Sequence, residues 1–204
     1  MARYPTRNEP MTPAEEVQNV ANPIPLGLSV LAFSTAVLGA YFAGFIIPYQ
    51  TPGSRLAVGA IVAIGGLVQL LAGMWEFRRN NTIAATVFSS YGGFLLAIGV
   101  VLLLGLTLGG LIHLALGLFF LCWTIFLGVL LLASLRGHFL VPTLGLLFAA
   151  YLILTIGQLA FDNRILLIIG GWVAIIAALV AWFAALTTMT GVTNLRETFH
   201  MPAR

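Results

Sequence analysis

Six long, uninterrupted apolar runs constrain this chain more than any other feature. They lie near residues 26–47, 56–76, 84–107, 110–134, 138–160 and 164–190. Each run has about 20 residues or more, the length of helix that spans a hydrocarbon core of about 30 Å. Strands are excluded because the runs are continuously apolar and far too long for a membrane barrel. Since backbone polar groups in lipid must pair internally, the sequence predicts an all-α membrane protein, a bundle of six transmembrane helices.

The low content of charged residues supports this prediction. Of 204 residues, 60% are hydrophobic and 7% are charged, whereas a soluble domain has roughly 25% charged residues. So few charges cannot cover a water-exposed surface, and most of the outer face must therefore contact lipid. The formal net charge of +3 is too scattered to indicate a nucleic-acid partner. Cys122 lies inside an apolar run, and we expect it to be a small, buried side chain.

The polar ends of the chain predict its division and its orientation. We expect a flexible tail at 1–21, a six-helix pore domain at 22–190 and a short tail at 191–204. The arginines on the N-terminal side of the bundle are Arg3, Arg7, Arg78, Arg79, Arg136, Arg196 and Arg204, and those on the opposite side are Arg55 and Arg164. By the positive-inside rule, both termini are predicted to be cytoplasmic.

Small residues recur four positions apart in several spans. Examples are Gly39-x-x-x-Ala43 in the first span and Gly170-x-x-x-Ala174 in the last. Such pairs let two helix backbones approach closely. The spacing is equally compatible with contacts inside one protomer and with contacts between protomers.

The sequence does not bring together the residue types that catalysis or metal binding needs. No span contains two carboxylates, no Cys/His cluster has ligand spacing, and no Ser is accompanied by a suitable His and Asp. His113 and His138 lie near span ends on opposite sides. We therefore expect neither an enzyme nor a bound metal or cofactor.

Uncharged polar side chains instead recur at helical spacing along three spans. On the third span the stripe is Thr82, Thr86, Ser90, Gly93 and Ala97, flanked by Ser89 and Tyr91; on the fifth it is Thr143, Leu147, Tyr151, Thr155 and Gln158; on the first it is Gly27, Leu31, Ser34 with Thr35, and Leu38. For any one hydroxyl, a bond to its own helix is the simpler interpretation. Stripes on several helices favour a narrow polar path for small solutes.

No charged residue lies at the centre of a span, where a charge costs at least about 2.5–3.5 kcal/mol on insertion scales. Two routes for an anion follow. Hydroxyl, amide and backbone donors solvate the carboxylate, or a proton accompanies it so that the neutral acid crosses.

The end of the second span carries a further polar face, Gln69-x-x-x-Gly73-x-x-Glu76, with Arg79 three residues beyond Glu76. One interpretation is an interfacial ion pair that anchors the helix. The other is a pore mouth, at which Arg78 or Arg79 attracts anions and Glu76 positions the arginine.

The first span opens with Asn22-Pro-Ile-Pro-Leu-Gly-Leu28. Asn is a good N-cap and Pro suits a first helical turn. A helix N-terminus can bind an anion, but the two prolines leave chiefly the Ile24 N–H as a donor. We therefore favour a rigid helix start that shapes the mouth, with the Asn22 amide as the group that any carboxylate would use.

The same segment resembles the N-P-A-P-L-G-L signature of the acetate uptake transporter family, with Ile24 in place of Ala. Residues 65–79, Gly-Gly-Leu-Val-Gln-Leu-Leu-Ala-Gly-Met-Trp-Glu-Phe-Arg-Arg, resemble the second span of that family. They continue into 81–92, which is similar to the stretch N-T-F-G-x-T-A-F-x-S-Y-G. The resemblance covers nearly all of 22–190.

The resemblance implies a homohexamer in which each protomer holds its own six-helix pore with acetate sites along the path. It also implies a constriction of an aromatic residue, a tyrosine and a leucine, which map to Leu31, Tyr91 and Leu147. Leu31 departs from the aromatic, and Phe33 faces elsewhere on a helix and is a poor substitute. Ala181 matches a small position that influences substrate size.

The leading hypothesis is passage of acetate and related small carboxylates such as succinate, coupled to protons. A passive anion channel of the same fold is the close alternative. Permeation of ammonium or ammonia also fits a neutral polar pore with His113 at one mouth, and a structural or regulatory membrane subunit is a third class.

Overall fold

The computed structural model describes residues 21–191 apart from 47, 50, 106–111, 136–138 and 161–162. Within these residues the chain forms six helices: α1 Ile24–Ala43, α2 Pro52–Arg78, α3 Thr82–Leu103, α4 Ile112–Ser134, α5 Val141–Leu159 and α6 Arg164–Thr190. By length and composition, all six are able to cross a membrane. The predicted six-helix, all-α fold is confirmed. The two predicted tails at 1–21 and 191–204 lie almost wholly outside the described residues.

The helix ends follow from local sequence. Proline occupies the first or second position of α1, α2 and α5, where a missing N–H costs nothing. The side chains of Thr51, Asn81 and Asn163 accept hydrogen bonds from backbone N–H groups in the first turns of α2, α3 and α6. Helix α1 ends at Ala43, and Gly44, whose φ of 68° is left-handed, caps its C-terminus.

The helices form a ring in chain order. Helix α1 packs against α2 and α6, α2 packs against α3, and α5 packs against α4 and α6. Helices α3 and α4 close the ring over a much shorter contact. The α3–α4 seam is therefore the least extensive joint between neighbouring helices in the ring.

Glycines set the closest helix contacts. A Cβ at Gly171 would lie 2.6 Å from the Gly39 carbonyl oxygen, and a Cβ at Gly39 would lie 2.8 Å from that of Gly171. Between α2 and α3, a Cβ at Gly66 would lie 2.7 Å from the Gly92 oxygen, and the reverse distance is also 2.7 Å. No real Cβ atom tolerates such separations, so these positions admit only glycine. The small-residue pairs of α1 and α6 thus serve contacts inside the protomer.

The outer face of the bundle is apolar, as a lipid-facing surface must be. Leu132 is 69% exposed and Ile165 is 70% exposed. Cys122 is also exposed, so the prediction that it is buried is wrong. The physical reason is that lipid is as apolar as the protein interior, and an apolar neighbourhood in the sequence does not indicate which side of the helix faces inward.

Candidate functional site

Three buried hydroxyl groups from three helices meet inside the ring. The Thr35 hydroxyl of α1 lies 2.7 Å from the Tyr91 hydroxyl of α3. The Tyr91 hydroxyl lies 3.1 Å from that of Tyr151 on α5. These side chains are 0%, 1% and 1% exposed, respectively. We call Thr35, Tyr91 and Tyr151 the hydroxyl chain; it joins helices that are not neighbours in the ring, and it therefore crosses the interior of the bundle.

Helix α5 contributes Tyr151 because its polar stripe faces inward over the full length of the helix. All five members are buried: Thr143, Leu147, Tyr151, Thr155 and Gln158. The Thr155 hydroxyl donates to the Tyr151 carbonyl at 2.7 Å and lies 3.2 Å from the Thr124 hydroxyl of α4. The predicted spacing on this span therefore identifies an inward face.

The stripe predicted on α3 lies elsewhere. Thr86 and Ser90 are only partly buried, and Thr82, Gly93 and Ala97 are exposed. The Thr86 hydroxyl donates to the Thr82 carbonyl at 2.7 Å, and the Ser90 hydroxyl donates to the Thr86 carbonyl at 2.6 Å. Both hydroxyls thus bond their own helix, the simpler of the two interpretations. The structure does not bring Thr86 or Ser90 to the hydroxyl chain, which Tyr91 reaches from a different face of α3.

An aromatic layer packs around the two tyrosines. The Phe94 ring stands 5.0 Å from the Tyr151 ring, edge to face, and stacks on Trp123 at 4.5 Å. Phe120 lies 5.8 Å from Tyr151. Through these rings α3 and α4 meet at the seam of the bundle. The sequence reasoning missed this layer: Phe94 lies three residues after Tyr91, which was a usable signal, but nothing in the sequence pairs Phe120 or Trp123 with it.

The other residues of the expected constriction are buried with Tyr91. Leu31 and Leu147 are 0% exposed, as is Ala181, and all belong to one hydrophobic core with Tyr91. Leu31 precedes Thr35 by one helical turn and Leu147 precedes Tyr151 by one turn, so both lie toward the N-terminal side of the hydroxyl chain. Phe33 is 47% exposed; it faces away from this core, as expected, and does not replace the missing aromatic.

At the N-terminal face, Asn22, Glu76 and Arg79 form a polar cluster. The Arg79 guanidinium donates to the Asn22 amide oxygen at 2.5 Å and pairs with a Glu76 oxygen at 3.4 Å. The Glu76 side chain is 0% exposed, and its second oxygen has no partner in the described chain. The Asn22 oxygen also accepts from the Ile24 N–H at 3.2 Å. That donor is therefore already used, which agrees with a shaped helix start rather than an anion cradle.

Gln69 occupies the buried face of α2. It is 0% exposed, and neither its amide oxygen nor its amide nitrogen has a partner among the described residues. The Ser34 hydroxyl of α1 is also buried without a partner among the described residues. It lies against Gly65, one turn before Gln69. Buried polar groups without protein partners cost free energy, so a polar solute or water beside Gln69 or Ser34 would gain by pairing with these groups.

At the opposite face, Arg164 ties the start of α6 to the end of α1. Its guanidinium donates to the Phe42 carbonyl and stands 4.4 Å above the Tyr49 ring. Gly44 has no side chain to obstruct it. This arginine is thus engaged by backbone and aromatic groups.

The sequence of this chain is similar to those of known membrane transport proteins. Residues 6–203 match the GPR1/FUN34/yaaH family. Acetate permease A of Emericella nidulans is 35% identical over 200 residues, which cover 88% of this chain and 65% of the relative. Ammonia transport outward protein 2 of Saccharomyces cerevisiae is 33% identical over 195 residues, with the same coverage. The chain thus spans about two thirds of the length of these fungal relatives.

Two bacterial proteins match this chain over a larger share of their own length. The succinate-acetate/proton symporter SatP of Escherichia coli is 32% identical over 174 residues, 82% of this chain and 87% of the relative. The solved structure of a bacterial acetate channel SatP superposes with a TM-score of 0.73 at 28% identity, covering 91% of this chain and all of that one. The fold and the resemblance inferred from 22–28 and 65–92 are both confirmed. The chain is a multi-pass integral membrane protein and belongs to the GPR1/FUN34/yaaH family.

Proposed function

We propose that this protein carries acetate and similar small carboxylates, including succinate, across the bilayer together with protons. The observation that supports this most directly is the hydroxyl chain, Thr35–Tyr91–Tyr151, in the interior of the ring. Hydroxyl groups both donate and accept hydrogen bonds, so they can accompany a carboxylic acid or its anion without a fixed charge.

The distribution of charge in the bundle supports a proton that accompanies the substrate. Among the buried residues of the described spans, Glu76 alone is charged, and it lies at the N-terminal face, paired with Arg79. A bare carboxylate at the level of Tyr91 would have no cation to offset its desolvation. A proton that accompanies the substrate removes that cost. The name of the Escherichia coli relative, a proton symporter, agrees with this mechanism.

Uptake into proteoliposomes tests the proposal. Full-length protein is reconstituted, a pH gradient is imposed with the acidic side outside, and labelled acetate is followed against protein-free liposomes. Accumulation above equilibrium, abolished by a protonophore, is the expected result. Entry that stops at equilibrium in the presence of the gradient would instead indicate the passive anion channel.

A second candidate is ammonia or ammonium permeation, favoured by the names of the yeast relatives. The same neutral interior would admit ammonia. Labelled methylammonium in the same liposomes separates the two candidates, because entry of methylammonium without acetate would replace the leading proposal.

We extend the proposal to assembly and orientation. The arginine distribution supports cytoplasmic termini in the cell membrane, and the family resemblance supports a homohexamer with one pore per protomer. Lipid-embedded mass measurement and labelling of single cysteines placed in the two tails test these two points. The names of the relatives, a permease, a symporter and a channel, support transport rather than catalysis.

A further inference from the structure

Phe94 of α3 contacts both tyrosines of the hydroxyl chain. Its ring lies 5.0 Å from the Tyr151 ring, with an interplanar angle of 84°, and 5.7 Å from the Tyr91 ring. Edge-to-face contacts are a preferred geometry of aromatic pairs. The Phe94 side chain is only 4% exposed, and a densely packed interior leaves such a ring little room to move. The positions of the two tyrosine rings therefore depend on where the Phe94 ring is held.

Two rings of α4 hold Phe94 in place. The Phe119 ring lies 5.2 Å from the Phe94 ring with an interplanar angle of 5°, and the Trp123 ring lies 4.5 Å from it at 15°. Both rings thus stack nearly parallel to Phe94. We call Phe94, Phe119 and Trp123 the aromatic stack. Because Phe119 and Trp123 are only partly buried, the stack connects the outer part of α4 with the buried tyrosines.

The aromatic stack lies at the α3–α4 seam, the least extensive joint in the ring of helices. The α2–α3 joint is closed instead by backbones in contact, since a Cβ at Gly66 would lie 2.7 Å from the Gly92 oxygen. Backbone packing of this kind cannot yield unless whole helices move. Stacked rings can slide past one another by side-chain rotation, so the α3–α4 seam is a joint at which the ring of helices can yield.

We propose that Phe94 is a positioning residue for the passage of solute. The rings of α4 hold Phe94 against Tyr151, and Phe94 in turn keeps the Tyr151 hydroxyl on Tyr91. Separation of the two tyrosine hydroxyls then requires the aromatic stack to shift at the α3–α4 seam. The inference rests on the proposed function, because it assumes that the solute passes between the tyrosines. It adds that the size of acid that passes is set from α4, a helix with no member in the hydroxyl chain.

Phe119 offers the sharpest test, because its ring stacks on Phe94 and makes no ring contact with either tyrosine in the described part of the chain. In Phe119→Leu the stack is looser, the tyrosine hydroxyls separate more readily, and a larger solute gains more than a smaller one. We expect the ratio of succinate to acetate uptake in proteoliposomes to rise about threefold. That change corresponds to about 0.7 kcal/mol, within the range for one aromatic pair.

Two variants serve as controls for Phe119→Leu. Phe119→Tyr keeps the stacked ring and should retain the parent ratio of succinate to acetate uptake. Phe45→Leu removes a ring that packs on Trp172 at 5.0 Å, at the α1–α6 joint, and should also retain the parent ratio. The ratio does not depend on the amount of folded protein, so a loss of stability alone leaves it unchanged.

A double variant shows whether Phe119 acts through Phe94. Phe94→Leu should raise the uptake ratio at least as much as Phe119→Leu does. The double variant should raise it no further than Phe94→Leu alone, because residues that act through a shared contact are not additive. Additive effects would overturn the proposal. If Phe94→Leu fails to fold, the Leu and Tyr variants of the partly buried Phe119 still decide.

Fluorine NMR of full-length protein that contains 3-fluorotyrosine, in lipid nanodiscs, gives a readout independent of transport. The Tyr151 resonance is assigned by its loss in Tyr151→Phe. We expect this resonance to shift in Phe119→Leu and to stay at the parent position in Phe119→Tyr and Phe45→Leu. An unshifted resonance or an unchanged uptake ratio in Phe119→Leu would overturn the proposal, and acetate uptake by the parent would leave the proposed function standing. A shifted resonance in protein that carries no acid would reject the proposed function alone.

Discussion

The hydroxyl oxygens of Tyr91 and Tyr151 lie 3.1 Å apart although the residues are 60 positions apart in the chain. Neither oxygen reaches solvent, since both side chains are 1% exposed. The contact joins α3 to α5 across the ring. Any solute that passes along the axis at this level must separate or replace this hydrogen bond, and the pair is the natural first target for mutation.

Removing either phenolic hydroxyl should change acetate flux. Tyr151→Phe leaves Tyr91 bonded to Thr35 but removes a hydroxyl that can hydrogen-bond the solute when the solute replaces the contact. We therefore expect initial uptake to fall about three- to tenfold, consistent with about 1 kcal/mol for one hydrogen bond. The fall is measured from initial rates of labelled acetate uptake in proteoliposomes with matched protein content. Thr86→Val is the control, because that hydroxyl bonds its own helix on a different face. An equal loss of uptake in Thr86→Val would indicate that the polar stripe of α3 also lines the path of the solute.

The Glu76–Arg79 pair should tune the capture of anions at the N-terminal face. Glu76→Gln leaves Arg79 held by Asn22 but removes the charge that offsets it. The mouth becomes more positive, so we expect a lower KM for acetate at low salt and convergence with the parent at high salt. Arg79→Gln should act in the opposite direction. Unchanged KM and pH dependence in both variants, properly inserted, would leave the pair as an anchor only.

Close packing of α1 on α6 should not tolerate a side chain at Gly171. A Cβ there would meet the Ala43 amide nitrogen at 2.5 Å and the Gly39 oxygen at 2.6 Å. We expect Gly171→Val to cost about 1–3 kcal/mol or more by overpacking, seen as a lower melting temperature in detergent. Gly93→Ala is the matched control, since no atom lies within 4 Å of its Cβ position. Similar melting temperatures of the two variants would contradict the close contact of α1 and α6 at Gly171.

Leu31 should influence the size of acid that passes. It is fully buried in the core that contains Tyr91 and Leu147, so Leu31→Phe adds volume where none is spare. We expect succinate uptake to fall more than acetate uptake. Competition between the two labelled acids measures the ratio, and Phe33→Leu on the exposed side of α1 should leave it unchanged. A constant ratio in Leu31→Phe would place the selective step elsewhere.

Helical periodicity in the sequence identified the inward face of α5 but not that of α3. On α5 the five-residue stripe is the inward face, and Tyr151 could be predicted from it. On α3 the same spacing selected Thr86 and Ser90, which are only partly buried and bond their own helix, while Tyr91, the residue after Ser90, turns inward. A serine or threonine that bonds its own helix is tolerated beside lipid, so a row of hydroxyls does not by itself identify an interior.

The sequence by itself determined the number of spans, because only helices of about 20 apolar residues satisfy their backbone in lipid. It also determined the family and the presence of a polar face on α5. Only the tertiary structure decided that Thr35, Tyr91 and Tyr151 meet, that Phe94 stacks on Trp123, and that Cys122 faces outward. The reason is that lipid and protein interior are equally apolar, so helix rotation is set by side-chain packing around the ring rather than by hydrophobic pattern.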